Sequence, residues 1–194
     1  MKYLGVILII ALMAVAGTQC TPKDPKAKIQ SMEDKVRSDN FTFDQKGIQL
    51  IDDLIAAYTD YAAANKYSDE APEYLYKAAE FSLNLNKPAQ ALEYYNQIIY
   101  QYPDFHKAPE CLFLLAFIYE NHMLNLGKAK ELYETFIERY PDHDFADDAA
   151  ISIQNMGKSP EELIREFEEK AQSPNHTATS STPILHSRHR FWSQ

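Results

Sequence analysis

The residues of this 194-residue chain with catalytic potential include adjacent carboxylate pairs such as Asp147-Asp148 and Glu168-Glu169, six histidines and two cysteines. Two carboxylates can divide acid and base roles only when their side chains converge on one bond. Neighbours on a helix instead point about 100 degrees apart, so each pair reads as solvated helix surface. His106, His122, His143, His176, His186 and His189 show no H-E-x-x-H spacing and no pairing with cysteine, so no metal-ligand set forms. There is no glycine-rich phosphate loop and no activated nucleophile motif. The expectation is a protein that is not an enzyme and uses no metal, no cofactor and no small-molecule substrate.

Composition points the same way. With 45% hydrophobic residues the chain can bury a core as one domain, and 5 Gly with no alternating apolar pattern argue against a β-rich fold. Tyrosine is abundant, 13 against 1 Trp, and suits gaps between helices. A formal charge of -9 with no cluster of Lys and Arg in the central region disfavours nucleic acid as a partner.

The elements that would position any site begin after an export signal. Lys2 and the apolar run Leu4 to Ala16 have the positive start and greasy centre of a signal peptide over 1–19. Thirteen helical residues span about 20 Å, short of the roughly 30 Å hydrocarbon core. Two processing routes are open. Gly17-Thr18-Gln19 followed by Cys20 resembles a bacterial lipoprotein box, with Gln19 where Gly or Ala is usual, and would make Cys20 the lipidated N-terminus. Ala14-Val15-Ala16 is the rival site, releasing a soluble protein that begins at Gly17. Acylation is the favoured route, since a cysteine placed just beyond the apolar run and before a polar tether is otherwise unexplained, and acyl chains adding about 0.8 kcal/mol per methylene would anchor the chain stably. Cys111 falls within a packed helix, and no disulfide to Cys20 is expected.

Residues 20–28 then read as anchor and tether, and Ile29, Met32 and Val36 give a short amphipathic helix over 29–38. Phe41 and Phe43 would pin the following connection to the core, and Asp44 is a plausible N-cap. From 48 to 156 a pattern recurs. Leu112, Leu115, Ala116 and Tyr119, then Ala129, Tyr133, Phe136 and Pro141, repeat the earlier Leu75, Ala78, Ala79 and Ser82, then Ala91, Tyr95, Ile98 and Pro103. The first halves are offset by 37 residues and the second by 38, so the later copy has one extra residue between its helices. Leu54, Tyr58 and Tyr61 extend the series backwards as an orphan second helix, and Phe145 to Ala150 extend it forwards as a lone first helix.

Large, Leu, small and Tyr on one helix, then Ala, aromatic and Pro on the next, resemble the tetratricopeptide repeat. The small residues let antiparallel helices approach closely. The resemblance implies an all-α fold, a short α-solenoid of tetratricopeptide-like hairpins. It also implies that first helices line a concave side that binds protein or peptide partners. Groove positions would then be Tyr76 and Glu80, Phe113 and Phe117, and Ile151 and Asn155. Phe113 and Phe117 are either an apolar partner site or buried beneath the N-terminal helix.

Ser159, Pro160 and Glu162 announce a helix over 159–172 whose Leu163, Ile164 and Phe167 would cap the array. Composition then turns to Ser, Thr, Pro, Asn and His, and 173–194 reads as a disordered tail. A lipoprotein-like signal, a tether and long repeats with Tyr-Pro-Asp turns together resemble BamD-type outer-membrane assembly lipoproteins, and in general build the coordinator of the Tol-Pal system. That resemblance implies a membrane-tethered interaction scaffold in a bacterial envelope, on the periplasmic side of the outer membrane. The alternatives are a soluble periplasmic adaptor and a structural spacer without a groove.

Overall fold

The computed structural model describes residues 24–172. The expected signal, Cys20 and the tail 173–194 lie outside the described residues. Eight helices follow one another: α1 Pro25–Val36, α2 Gln45–Ala64, α3 Ala71–Asn84, α4 Pro88–Gln101, α5 Ala108–Asn121, α6 Leu126–Arg139, α7 Ala146–Asn155 and α8 Pro160–Gln172. No strand occurs among the described residues, and from α1 to α6 each helix packs against the next. The fold is an all-α stack of helical hairpins.

Helix α1 starts at Pro25, four residues earlier than the apolar spacing suggests. The Asp24 side chain accepts the Lys26 backbone N–H at 3.0 Å. Proline fits the first helical position because its missing N–H would be unpaired there anyway. What reads in sequence as tether is therefore a cap. The buried face of α1, Ile29 and Met32, lies on Ile51, Leu54, Ile55 and Tyr58 of α2. Helix α2 is thus no orphan: α1 serves as its first-helix partner.

Asp44 caps α2 by accepting the N–H groups of Lys46 and Gly47. Gly47 is required at that spot, since a Cβ there would come within 1.9 Å of the Thr42 carbonyl oxygen and 3.2 Å of the Phe41 ring. Phe41 occupies this slot and packs against the core, whereas Phe43 points outward, 71% exposed. Only one of the two phenylalanines pins the connection, because Phe41 alone fills the space beside Gly47.

In the hairpins α3–α4 and α5–α6 the small residues Ala78, Ala79, Ala91, Ala116 and Ala129 are wholly buried, which is what close helix approach demands. Helix α3 ends in a Schellman turn: Lys87 N–H donates to Ser82 C=O at 2.8 Å and Asn86 N–H to Leu83 C=O at 2.9 Å, with Asn86 at φ 55. The extra residue of the later hairpin sits in its equivalent turn. There Asn125 N–H reaches back six residues to Tyr119 C=O, and Leu124 takes the left-handed conformation, φ 51, with its side chain 77% exposed. Asn125 then caps Lys128, so α6 begins at Leu126 and Gly127 lies inside its first turn rather than in the loop.

One compact unit extends to Ala150 and a second begins at Ile151, within α7. In the second unit Gly157, at φ 79, follows the helix end. The Ser159 hydroxyl accepts the Glu162 N–H at 3.2 Å while the Glu162 carboxylate accepts the Ser159 N–H at 2.8 Å, the reciprocal capping box that the sequence announces. Lys158 pairs with Glu166 at 2.7 Å, and Ile164 and Phe167 are more than half exposed.

Candidate functional site

Each second helix of the stack carries one tyrosine at the same register: Tyr58 on α2, Tyr95 on α4 and Tyr133 on α6, all essentially without exposure. Their rings fill the space between helices, but a buried hydroxyl also needs a partner. Tyr58 donates to the Glu33 carboxylate at 2.6 Å, and Tyr133 to Glu120 at 2.8 Å. Tyr95 has no protein hydrogen-bond partner. The reason is a substitution within the repeat. Glu120 lies on α5, and the residue 37 positions earlier on α3 is Leu83, an apolar side chain that cannot accept a hydrogen bond.

Around Glu33 the network is complete. Lys77 of α3 and Arg37, the residue that caps the end of α1, also donate to it, each at 2.8 Å. Burial pushes this carboxyl up, but the Lys77 and Tyr58 hydrogen bonds outweigh burial and leave it below its ordinary value. The three helices α1, α2 and α3 thus meet on one carboxylate.

Glu80 presents the opposite balance. It stands one turn beyond Tyr76 on α3, half-buried, and makes no hydrogen bond or ion pair among the described residues. Burial raises its carboxyl to about 7; Lys107 and Lys77 draw it down while Glu110 and Glu73 push it further up. The cations nearby are already occupied. Lys77 is bonded to Glu33, and the Lys107 ammonium sits 4.3 Å from the centre of the Tyr76 ring. Tyr76 meets Tyr95 edge-on at 5.8 Å, and the buried Tyr95 hydroxyl lies within electrostatic reach of Glu80 and Glu110.

The six residues expected on the partner-binding face divide accordingly. Tyr76 is buried, 4% exposed, between the Tyr95 ring and the Lys107 ammonium. Phe113 is stacked on Phe145 at 4.9 Å and touches the rings of Tyr133 and Phe136, so its cover comes from α6 and the turn that follows it and not from α1. Phe117 is half-buried, edge-on to His122 at 6.2 Å. Ile151 and Asn155 belong to the second unit, both half-buried on α7. Tyr95, Lys107, Glu110 and Glu33 are absent from the sequence-based set. The signal that reveals Tyr95 is comparison of its register with those of Tyr58 and Tyr133.

A concavity of about 540 Å³ opens between the turns that precede α3 and α5, lined by Lys66, Tyr67, Glu73, Tyr102, Asp104 and His106. Tyr102 donates to the Lys66 carbonyl at 2.9 Å, which ties the two turns together, and His106 lies 3.7 Å from Glu73. Among the described residues no three His, Cys, Asp or Glu side chains form a metal site, and no helix is long and apolar enough to cross a membrane. Cys111 is buried and its thiol is pushed far up by burial, so a thiolate nucleophile is disfavoured there.

Residues 73–104 and 110–143 each match the tetratricopeptide repeat family model. The two matches coincide with the hairpins α3–α4 and α5–α6, so the similarity to tetratricopeptide repeats falls on the two hairpins at the centre of the helical stack. No curated protein and no solved structure matches the chain significantly.

Proposed function

We propose that this chain is a non-enzymatic protein-interaction scaffold tethered to the bacterial outer membrane from its periplasmic side, working in outer-membrane protein assembly as BamD-type lipoproteins do. The observation that carries the scaffold reading is the pair of tetratricopeptide repeats stacked with α1 and α2 into one unit. A rigid stack offers a continuous face to an extended or helical segment of another protein. Lys2, the apolar run to Ala16 and Cys20 support the tether, because an acylated cysteine directly after an exported apolar segment would hold the array at a membrane surface. The short span from Cys20 to the cap of α1 at Asp24 would keep the repeats close to that surface.

In-cell crosslinking of the natively expressed chain, followed by mass spectrometry of its partners and of its own N-terminus, tests this. An acylated Cys20 together with barrel-assembly components is the expected result. A soluble protein beginning at Gly17 with no stable envelope partner would overturn the tethered scaffold.

A further inference from the structure

We propose that the segment 184–192 of this chain, which lies outside the described residues, docks on the exposed apolar face of α8 and covers it, its two arginines pairing with the glutamates that edge that face.

Leu163, Ile164 and Phe167 share one side of α8, yet Ile164 is 60% exposed and Phe167 63%. Large apolar residues grouped on one exposed face mark a surface that something covers. The edge of the face is acidic. Glu161 and Glu168 stand three residues before and four residues after Ile164, so they flank it on the helix surface. Neither makes a hydrogen bond or ion pair among the described residues, whereas Glu162 serves the capping box, Glu166 holds Lys158 and Glu169 pairs with Arg165. Over its length α8 carries five glutamates against Arg165 and Lys170.

The chain that follows supplies the complement. Residues 173–194 contain no Asp or Glu, and 184–192 reads Ile-Leu-His-Ser-Arg-His-Arg-Phe-Trp, apolar at both ends and cationic between them. Reach is ample. The residues from Ser173 to Pro183 can span up to about 36 Å, while Ile164 lies only about 12 Å back along α8 from Gln172. Because the segment belongs to the same chain, docking costs only the closing of a short loop, and not the freedom of a separate molecule. The α8 of a second copy would set glutamates against glutamates, and an anionic lipid surface would meet the same repulsion. Arg188 and Arg190 meet Glu161 and Glu168 with the opposite sign, and Ile184, Leu185, Phe191 and Trp192 exclude water from Ile164 and Phe167.

Trp192 is the single tryptophan of the chain, so its fluorescence reads the segment directly. Its emission and its quenching by acrylamide are measured in the full chain and in a synthetic peptide of residues 173–194, the undocked reference. The expected result is a blue shift and a loss of quenching in the full chain, both unchanged on dilution because the contact lies within one molecule. I164S/F167S should return both readings to those of the peptide. These side chains are more than half exposed, so the fold survives the change, and thermal melting verifies it. E161Q/E168Q should weaken docking and remove most of its sensitivity to added salt, which screens exposed charges. Trp192 as open to quenching in the full chain as in the peptide would overturn the proposal, and so would protection that persists in I164S/F167S. Protection lost on dilution, with a dimer seen by sedimentation, would overturn it in favour of exchange between two copies. A salt response unaltered in E161Q/E168Q would overturn the pairing of arginine with glutamate.

Discussion

At the scale of single residues, two half-hidden glutamates show how one side-chain type is driven in opposite directions. Glu33 is held by Lys77, Tyr58 and Arg37 and stays below its ordinary 4.5, so it stabilises the fold above that pH. The contribution is lost as pH falls through its lower folded value. Glu33→Ala should cost about 2–4 kcal/mol in denaturant melts at pH 7, since Tyr58 loses its acceptor in the core while Lys77 and Arg37 can return to water. Glu80 is raised from 4.5 to about 7, so the folded state binds the extra proton. Its stabilising effect is therefore complete below 4.5 and declines as pH rises to 7. E80Q should match the wild type near pH 4 and exceed it by about 1–2 kcal/mol at pH 8, after allowance for solvent screening of a group that is not fully buried. Melts of both proteins across that range would show it, and parallel curves would contradict the assignment.

At the scale of helices, the hairpins rest on close approach at alanines and on large side chains set around them. Leu115 is 3% exposed on α5, so Leu115→Ala should destabilise by about 2–5 kcal/mol, and a neutral result would mean the helix register is wrong. The turn after α5 stores strain of a different kind. Leu124 holds a left-handed backbone with its side chain in water, at a cost of about 1–2 kcal/mol for a non-glycine residue. Leu124→Gly should relieve this, partly offset by the greater freedom of glycine in the unfolded chain, for a net gain of about 0.5–1 kcal/mol by thermal melting. These hairpins were legible in the sequence because their determinants are local: Leu75, Ala79, Ala91 and Tyr95 return as Leu112, Ala116, Ala129 and Tyr133. Phe113 shows where periodicity stops. It assigns a residue to a helix face, yet says nothing of the Phe145 ring that lies across it. Likewise Asp24-Pro25 reads in sequence as tether, and the helix that starts there is fixed by the packing of Ile29 on α2, a contact no local pattern shows. The surroundings of Glu80 were half visible, through Tyr76 and Glu80 themselves; the unpaired Tyr95 hydroxyl required seeing that Leu83 occupies the place where Glu120 serves Tyr133.

At the scale of the whole molecule, the stacked hairpins set their first helices side by side, and the proposed scaffold reads its partner along these helices. Glu80 and Phe117 occupy equivalent positions on successive first helices, 37 residues apart, one acidic and one aromatic. A partner segment laid along the first helices would meet both. The account stands or falls on whether this face contacts another protein. The most direct measurement places a photo-crosslinking residue singly at positions 80 and 117, and at the exposed position 93 on α4, in the natively expressed chain. Crosslinks to one defined protein from 80 and 117 but not from 93 are the predicted result. Equal crosslinking from all three positions, or none from 80 and 117, would contradict an interaction scaffold that reads its partner through its first helices.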